Sequence, residues 1–233
     1  MKVVAGTKCI VLDTGPGTMR RLLETGTTIF EISHLLYSHF HPDHTGELVP
    51  LLFATKYPDS QQRQEPLTIV GGMGFIDFFS GLQGVYGDWI TLPEGMVTMT
   101  ELSTAGKDQR DFEGFTIDTL PMAHRPESLG YRITGSDGRV VVYSGDTDVC
   151  ENLVTLAKDA DVLICESALP DDLKVPGHLS PSLAGEMAAS ANVKTLILTH
   201  FYPECDYADI RNECRKTFGG ELMLAEDLMQ IGF

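Results

Sequence analysis

With 233 residues, 42% of them hydrophobic and 21% charged, the chain can bury a full core as one large globular domain or two closely packed halves. A formal net charge of −16 and a pI near 4.7, without a block of Lys or Arg, oppose long-range attraction to a polyanion, because phosphate neutralisation dominates nucleic-acid affinity. No apolar run approaches the ~18 residues of a membrane span and the start of the chain lacks a signal-type apolar region, so a cytoplasmic location is expected.

Taken in order, Thr7 to Asp13 reads as a strand ending in the turn Asp13-Thr14-Gly15-Pro16-Gly17, rich in residues that control φ. A short helix follows over Met19 to Leu23. At Asp13 two readings stand side by side: a turn carboxylate, or a buried one that orients ligands from behind. Residues 29–38 and 43–57 give the next strand and helix, and Leu67 to Val70 a strand entering a helix from about Gly74 to Leu82. Such units predict a layered α/β architecture. Gly81 to Thr91, with Tyr86 and the sole tryptophan, Trp89, reads as a surface loop, either an ordinary packed one or a lid.

Met96–Leu102, Phe112–Leu120, Leu129–Thr134 and Arg139–Tyr143 then read as a run of antiparallel strands, with Ser136-Asp137-Gly138 as a hairpin turn. Alternation of strand and helix returns with a helix over Val149–Ala160, a strand over Val162–Cys165, a helix over Pro181–Ala189 and a strand over Thr195–Thr199. The five cysteines are odd in number and contain no CxxC pair, which makes them core thiols rather than a disulfide framework.

The chemistry concentrates in His39-Phe40-His41-Pro42-Asp43-His44. After the apolar run Leu35-Leu36-Tyr37 the backbone is extended, so His39 and His41, two apart, share a face and can hold one ion. Pro42 turns the chain into a helix, so Asp43 and His44 face elsewhere and can hold a second. Imidazole with carboxylate suits zinc, manganese or iron better than calcium. The alternative, a surface cluster of histidines, demands that three imidazoles and a carboxylate coincide by chance. His124 and His200 end apolar strands, where open α/β folds place ligand residues. Asp146, also after an apolar strand, can bridge two cations ~3.5–4 Å apart. Singly, each would read as a core histidine or a helix cap; with the histidine motif they read as ligands.

The strings SHFHPDHTG (38–46), MAHRPESLGYRI (122–133), VVYSGDTD (141–148) and LILTHFYP (196–203), together with GHLSP (177–181), resemble the metallo-β-lactamase superfamily and within it the ribonuclease Z-like branch, over about residues 8–231. The resemblance implies a four-layer αβ/βα metallo-β-lactamase sandwich, one domain over residues 1–233. It implies a site with two divalent ions, zinc or manganese, with iron as a further option. By motif match His39, His41 and His124 hold one metal, Asp43, His44 and His200 the other, and Asp146 bridges. His178 matches a catalytic histidine of the branch. Beside it Ser180 and Pro181 suit the cap and first position of a helix, and Arg125 is a candidate phosphate contact or a structural ion-pair partner.

A hydroxide shared by two cations forms at neutral pH; Asp43 can accept its proton, and His178 as imidazolium can protonate a departing alkoxide. Phosphodiester hydrolysis follows. Two departures from the branch matter. Only Gly130 to Val142 separate the third histidine motif from SGDT, which leaves no room for the arm that grips transfer RNA, and the usual opening strand is missing. An uncovered sheet edge invites pairing, so a homodimer is expected. Missing arm and acidic charge together favour a small phosphodiester over tRNA 3′ processing. A lactone or thioester hydrolase on the same scaffold and a non-catalytic metal-binding protein are the other readings.

Overall fold

A computed structural model describes residues 1–56 and 63–232. It divides into two compact units, Met1–Ser103 and Thr104–Phe233. Tyr57, where the sequence reading ends the helix after the histidine motif, lies outside the described residues.

The first unit holds a sheet of β1 (Lys2–Ala5), β2 (Lys8–Leu12), β3 (Ile32–Leu36), β4 (Leu67–Gly72) and β5 (Val97–Leu102), in that order across the sheet. β2 to β5 run parallel, and β1 pairs antiparallel with β2. The central strands are near-continuous apolar runs, as strands covered on both faces require. Their Val11, Leu35 and Ile69 pack in one cluster with Leu48, Leu51 and Leu52 of α3 (Leu48–Lys56) and with Phe75 and Phe79 of α4 (Phe75–Tyr86). Each such side chain contributes roughly 1.5–3 kcal/mol on burial.

Lys2–Ala5 adds a strand at the sheet edge, folded back on β2 through Gly6, whose φ of 59° suits glycine. Three expectations change here. Met96–Leu102 belongs to this sheet as β5, parallel to β4, not to an antiparallel run. The helix after the histidine motif is two pieces, α2 (Pro42–Thr45) and α3, broken at Gly46-Glu47. The break has a use: the Glu47 carboxylate accepts the N–H groups of Gly17 (2.7 Å) and Met19 (2.6 Å), capping α1 (Thr18–Glu24), which has no side-chain cap of its own. Finally, Gly81–Thr91 is no loop. α4 continues to Tyr86 and a 3-10 turn covers Gly87–Ile90, because the apolar face through Phe75, Phe79 and Leu82 outweighs Gly81 and Gly84, where an added Cβ would meet only open space.

The second unit holds β6 (Asp108–Phe112), β7 (Phe115–Pro121), β8 (Leu129–Gly135), β9 (Val140–Tyr143), β10 (Val162–Glu166), β11 (Thr195–Thr199) and β12 (Glu221–Leu224), in sheet order β12-β11-β10-β9-β8-β7-β6. β6 to β9 pair antiparallel and β9 to β12 parallel. The single strand expected over Phe112–Leu120 is a hairpin turned at Gly114, φ 88°. α5 (Glu151–Ala157) and α6 (Pro181–Ser190) cover the core, with Leu153, Leu156, Ala184 and Ala188 against Val142, Leu163 and Leu196. α7 (Ile210–Arg215) and β12 were not legible in the sequence; both are short, six and four residues.

Strand direction positions the chemistry. β7, β9, β10 and β11 all point the same way, so His124, Asp146, Glu166 and His200 follow strand ends along one edge of the second sheet. In the first sheet the parallel β2 and β3 bring Asp13 and the histidine motif to one edge likewise. Among the described residues no helix is long and apolar enough to cross a membrane. Of the cysteines, Cys165, Cys205 and Cys214 are buried and Cys9 and Cys150 half-buried, all as free thiols.

His34 of β3 is the one histidine outside the motifs. Burial, helped by the charge of Lys8, lowers its pKa from the ordinary 6.5 to about 4. Between those values the unfolded chain takes up a proton that the folded chain refuses, so folding stability falls as pH drops through that window. Urea unfolding midpoints of wild type and His34→Gln at pH 7 and pH 5 will show a smaller acid-induced loss in the variant.

Candidate metal centre

In the first unit the histidine motif sits where β3 gives way to α2. His39 is fully buried, His44 nearly so, His41 half-buried and Asp43 exposed. The rings of His39 and His41 meet edge-on at 4.5 Å, and those of His39 and His44 lie 4.1 Å apart. His44 Nε2 is 3.5 Å from Asp43 Oδ2. Behind this group stands Asp13. Its Oδ1 accepts the N–H of Ser38 (2.8 Å), and its Oδ2 accepts from the Ser38 hydroxyl (2.7 Å) and from Nδ1 of His44 (2.7 Å). Ser38 Oγ in turn lies 3.1 Å from His39 Nδ1. Burial opposes ionisation of Asp13, but the His44 and Ser38 hydrogen bonds outweigh it and hold the carboxyl below its usual range. Of the two readings of Asp13, the structure selects the orienting carboxylate. The turn holding it needs Gly15, since a Cβ there would come within 1.9 Å of the Asp43 carbonyl oxygen.

In the second unit Asp146 is buried, with Oδ2 at 3.9 Å from His124 Nε2 and Oδ1 at 3.5 Å from His200 Nε2. Both oxygens therefore face imidazoles, one on the His124 side and one on the His200 side. His124 Nδ1 donates to the carbonyl of Gly177 (2.9 Å). That glycine's N–H donates to Asp148 (2.9 Å), and Asp148 is gripped on both oxygens by Lys174 Nζ at 2.7 and 2.8 Å. The loop over 174–178 is thus pinned while it buttresses His124 and carries His178. Both Asp13 and His200 sit in left-handed backbone, with φ of 55° and 63°, a conformational cost for residues other than glycine.

His178 Nδ1 lies 2.9 Å from Glu166 Oε1 and 4.0 Å from Asp146 Oδ2. Glu166 is buried and escaped the sequence reading, although it ends the apolar strand Val162–Cys165 as Asp146 ends its own. Its Oε1 also accepts Thr147 N–H (2.8 Å) and its Oε2 accepts Ala168 N–H (3.2 Å), so at His178 the imidazole Nδ1 donates. Burial pushes the Glu166 carboxyl up; the His178 hydrogen bond pulls the other way. Ser180 and Pro181 take the N-cap and first positions of α6, but the Ser180 hydroxyl caps no N–H: it donates to Asp171 (2.8 Å), and Asp171 accepts Ser182 N–H (3.0 Å) at the start of α6. A carboxylate from the preceding turn reaches the helix end better than the short hydroxyl does. Arg125, beside His124, is exposed.

The donor set fits a divalent ion. A carbonyl only accepts, so His124 carries its proton on Nδ1 and offers the Nε2 lone pair; ionised Asp13 imposes the same tautomer on His44. Outer hydrogen bonds of this kind are how metal-binding imidazoles are oriented.

Two sheets with these strand directions, an HxHxDH turn after one strand and His and Asp after the others, define an α/β metal-dependent hydrolase. The Beta-lactamase superfamily domain matches residues 8–201, and the chain belongs to the metallo-β-lactamase superfamily, with ribonuclease Z among its relatives. It is 32% identical over 213 residues to an uncharacterized protein of Mycobacterium tuberculosis, covering 91% of this chain and 76% of the relative. It is 30% identical over 256 residues to ribonuclease Z of Mycobacterium bovis, covering 98% and 89%. Among solved structures, human tRNase Z, short form, superimposes with a TM-score of 0.80 at 25% identity over 99% of this chain and 90% of that one. The metallo-beta-lactamase fold protein YhfI from Bacillus subtilis shares the fold with a TM-score of 0.80 at 23% identity over 97% and 88%. The fold implies binding of divalent metal.

Asp13→Ala removes the acceptor that orients His44 and anchors Ser38. Outer-shell losses of this kind cost about 10- to 100-fold in metal affinity, and zinc titration by calorimetry will show a drop of that order with the fold retained by circular dichroism.

Proposed function

We propose that the chain is a dinuclear phosphodiesterase acting on a small phosphodiester. In this reading one domain carries both sets of ligands: His39, His41 and His124 hold one ion, Asp43, His44 and His200 the other, and Asp146 bridges them. Zinc or manganese suits the donors best. When bound, the metals generate a nucleophile from water at neutral pH and polarise the phosphoryl group.

The residues do the remainder. Asp43, the exposed carboxylate of the motif, accepts the proton released by the attacking water. His178 delivers a proton to the departing alkoxide, and Glu166, hydrogen-bonded to Nδ1, stabilises the imidazolium that the delivery requires. The observation that carries the phosphodiester reading is this 2.9 Å His178–Glu166 pair, placed 4.0 Å from Asp146. An alkoxide is a poor leaving group and needs an acid; a thiolate does not, which weighs against a thioester hydrolase. The full donor set, with its oriented tautomers and an acid beside it, weighs against a purely metal-binding protein.

The ribonuclease Z relative favours a second reading, 3′ processing of transfer RNA. Against it stand the charge of −16 and the short turn over 136–139 between β8 and β9, where the branch inserts its RNA-gripping arm. A panel of small phosphodiesters, a precursor transfer RNA, lactones and thioesters, run with elemental analysis, decides among these. We expect turnover of bis(p-nitrophenyl) phosphate with manganese or zinc. His41→Ala will abolish it and lower the metal content. His178→Ala will keep the metal while kcat falls ~10²-fold or more, with a larger drop on alkyl than on p-nitrophenyl leaving groups. Equal drops on both would remove the acid role, and faster cleavage of the precursor RNA, lactone or thioester would overturn the small-diester assignment.

A further inference from the structure

His178 rides on a strap, residues 171–179, in the connection from β10 to α6, and packing does not seat that strap. Leu173 and Val175 are 47% and 37% exposed and Pro176 is exposed as well, so from 171 onward no side chain is buried before Leu179. The seat is polar, and its centre is Asp148. The N–H of Asp148 donates to the carbonyl of Ala123, the residue before His124, at 2.9 Å. Its Oδ2 accepts the N–H of Gly177, the residue before His178, at 2.9 Å, and its Oδ1 accepts Val149 N–H at 2.8 Å. Lys174 Nζ then reaches both oxygens, at 2.7 and 2.8 Å. The lysine and carboxylate side chains are only 27% and 25% exposed, so their attraction is screened less than that of a surface pair.

We infer that Lys174 is a positioning residue for proton delivery: through Asp148 it seats the strap that sets His178 against the leaving group, although it touches no reacting atom. The inference rests on the hydrolase reading and on the acid role of His178 within it. Proton transfer requires the donor within hydrogen-bond reach, and a misplacement of ~1 Å costs up to about 10²-fold. Glu166 restrains the His178 ring at one atom, Nδ1, and a single hydrogen bond does not fix the backbone that carries the ring. The Asp148 clamp fixes it, at the adjacent residue. Without the ammonium, water takes its place on both carboxylate oxygens and competes for the N–H of Gly177, so the strap loosens next to the acid. His124 depends on the lysine less. Ala123 N–H donates to Thr147 Oγ1 (3.0 Å) and Ala123 O accepts Asp148 N–H, and neither bond involves Lys174. The lysine therefore acts on the acid rather than on the metal ligands.

Lys174→Met keeps the length of the side chain and removes the charge. It is compared with wild type, Lys174→Arg, His178→Ala and the double variant, all metal-loaded, on one phosphodiester with an alkyl and one with a p-nitrophenyl leaving group. We expect kcat on the alkyl ester to fall ~10- to 100-fold in Lys174→Met, at least ~5-fold more than on the p-nitrophenyl ester, with metal content as in wild type. Lys174→Arg will restore most of the rate. In the His178→Ala background Lys174→Met will cost nothing further, since a seat matters only while the acid it seats is present. Hydrogen exchange over residues 174–178 will accelerate in Lys174→Met. Equal losses on the two esters, metal loss in the variant, a full additional loss in the His178→Ala background, or unchanged exchange would each overturn the inference. Faster exchange in Lys174→Met of a chain that cleaves no phosphodiester would sink the hydrolytic reading and leave the Lys174 seat standing, so the two failures are distinguishable.

Discussion

The hydrogen bonds of one buried carboxylate, Asp13, organise the first unit's half of the chemistry. Accepting from Ser38 N–H, Ser38 Oγ and His44 Nδ1 at 2.7–2.8 Å, it sets the tautomer of His44 and anchors the residue immediately before His39. A carboxylate in a buried place is costly unless its oxygens are satisfied, and here the satisfaction comes from the motif it orients. The parallel pairing of β2 and β3 brings both partners to the same edge, and Gly15 lets the two turns approach.

The second unit repeats the logic with different parts. Asp146 lies between His124 and His200, Glu166 holds His178, and Asp148 with Lys174 pins the loop that both buttresses His124 and bears His178. All follow strands that point one way, so a change of strand direction at any of them would remove its side chain from the edge. A groove walled by Phe40, Phe53, Phe78 and Trp89 fits the same economy, since the turn that presents imidazoles on one side presents an aromatic wall on the other.

Much of this was legible in the primary structure. The motif strings named the imidazoles and carboxylates because metal ligation restricts both residue type and local spacing, and the apolar runs marked β3, β4, β10 and β11 because strands covered on both faces are apolar throughout. Reading failed where local signals compete with packing. Glycines suggested a loop over 81–91, yet they lie on the open side of α4 and cost the helix little. Ser180 carried a capping signature, yet Asp171, nine positions earlier, took the role. β5 was placed with the wrong neighbours, since pairing partners are not written in a strand's own residues.

The sequence alone thus determined which residues are candidate metal ligands and that the chain alternates strand with helix, because both properties reside in residue identity and short spacing. Only the tertiary structure decided that Asp13 orients His44 rather than closing a turn, that Glu166 stands behind His178, and that Phe40, Phe53, Phe78 and Trp89 share a groove. Those relations join positions from 11 to 49 residues apart, and such distances are set by sheet order and strand direction, which no local pattern encodes.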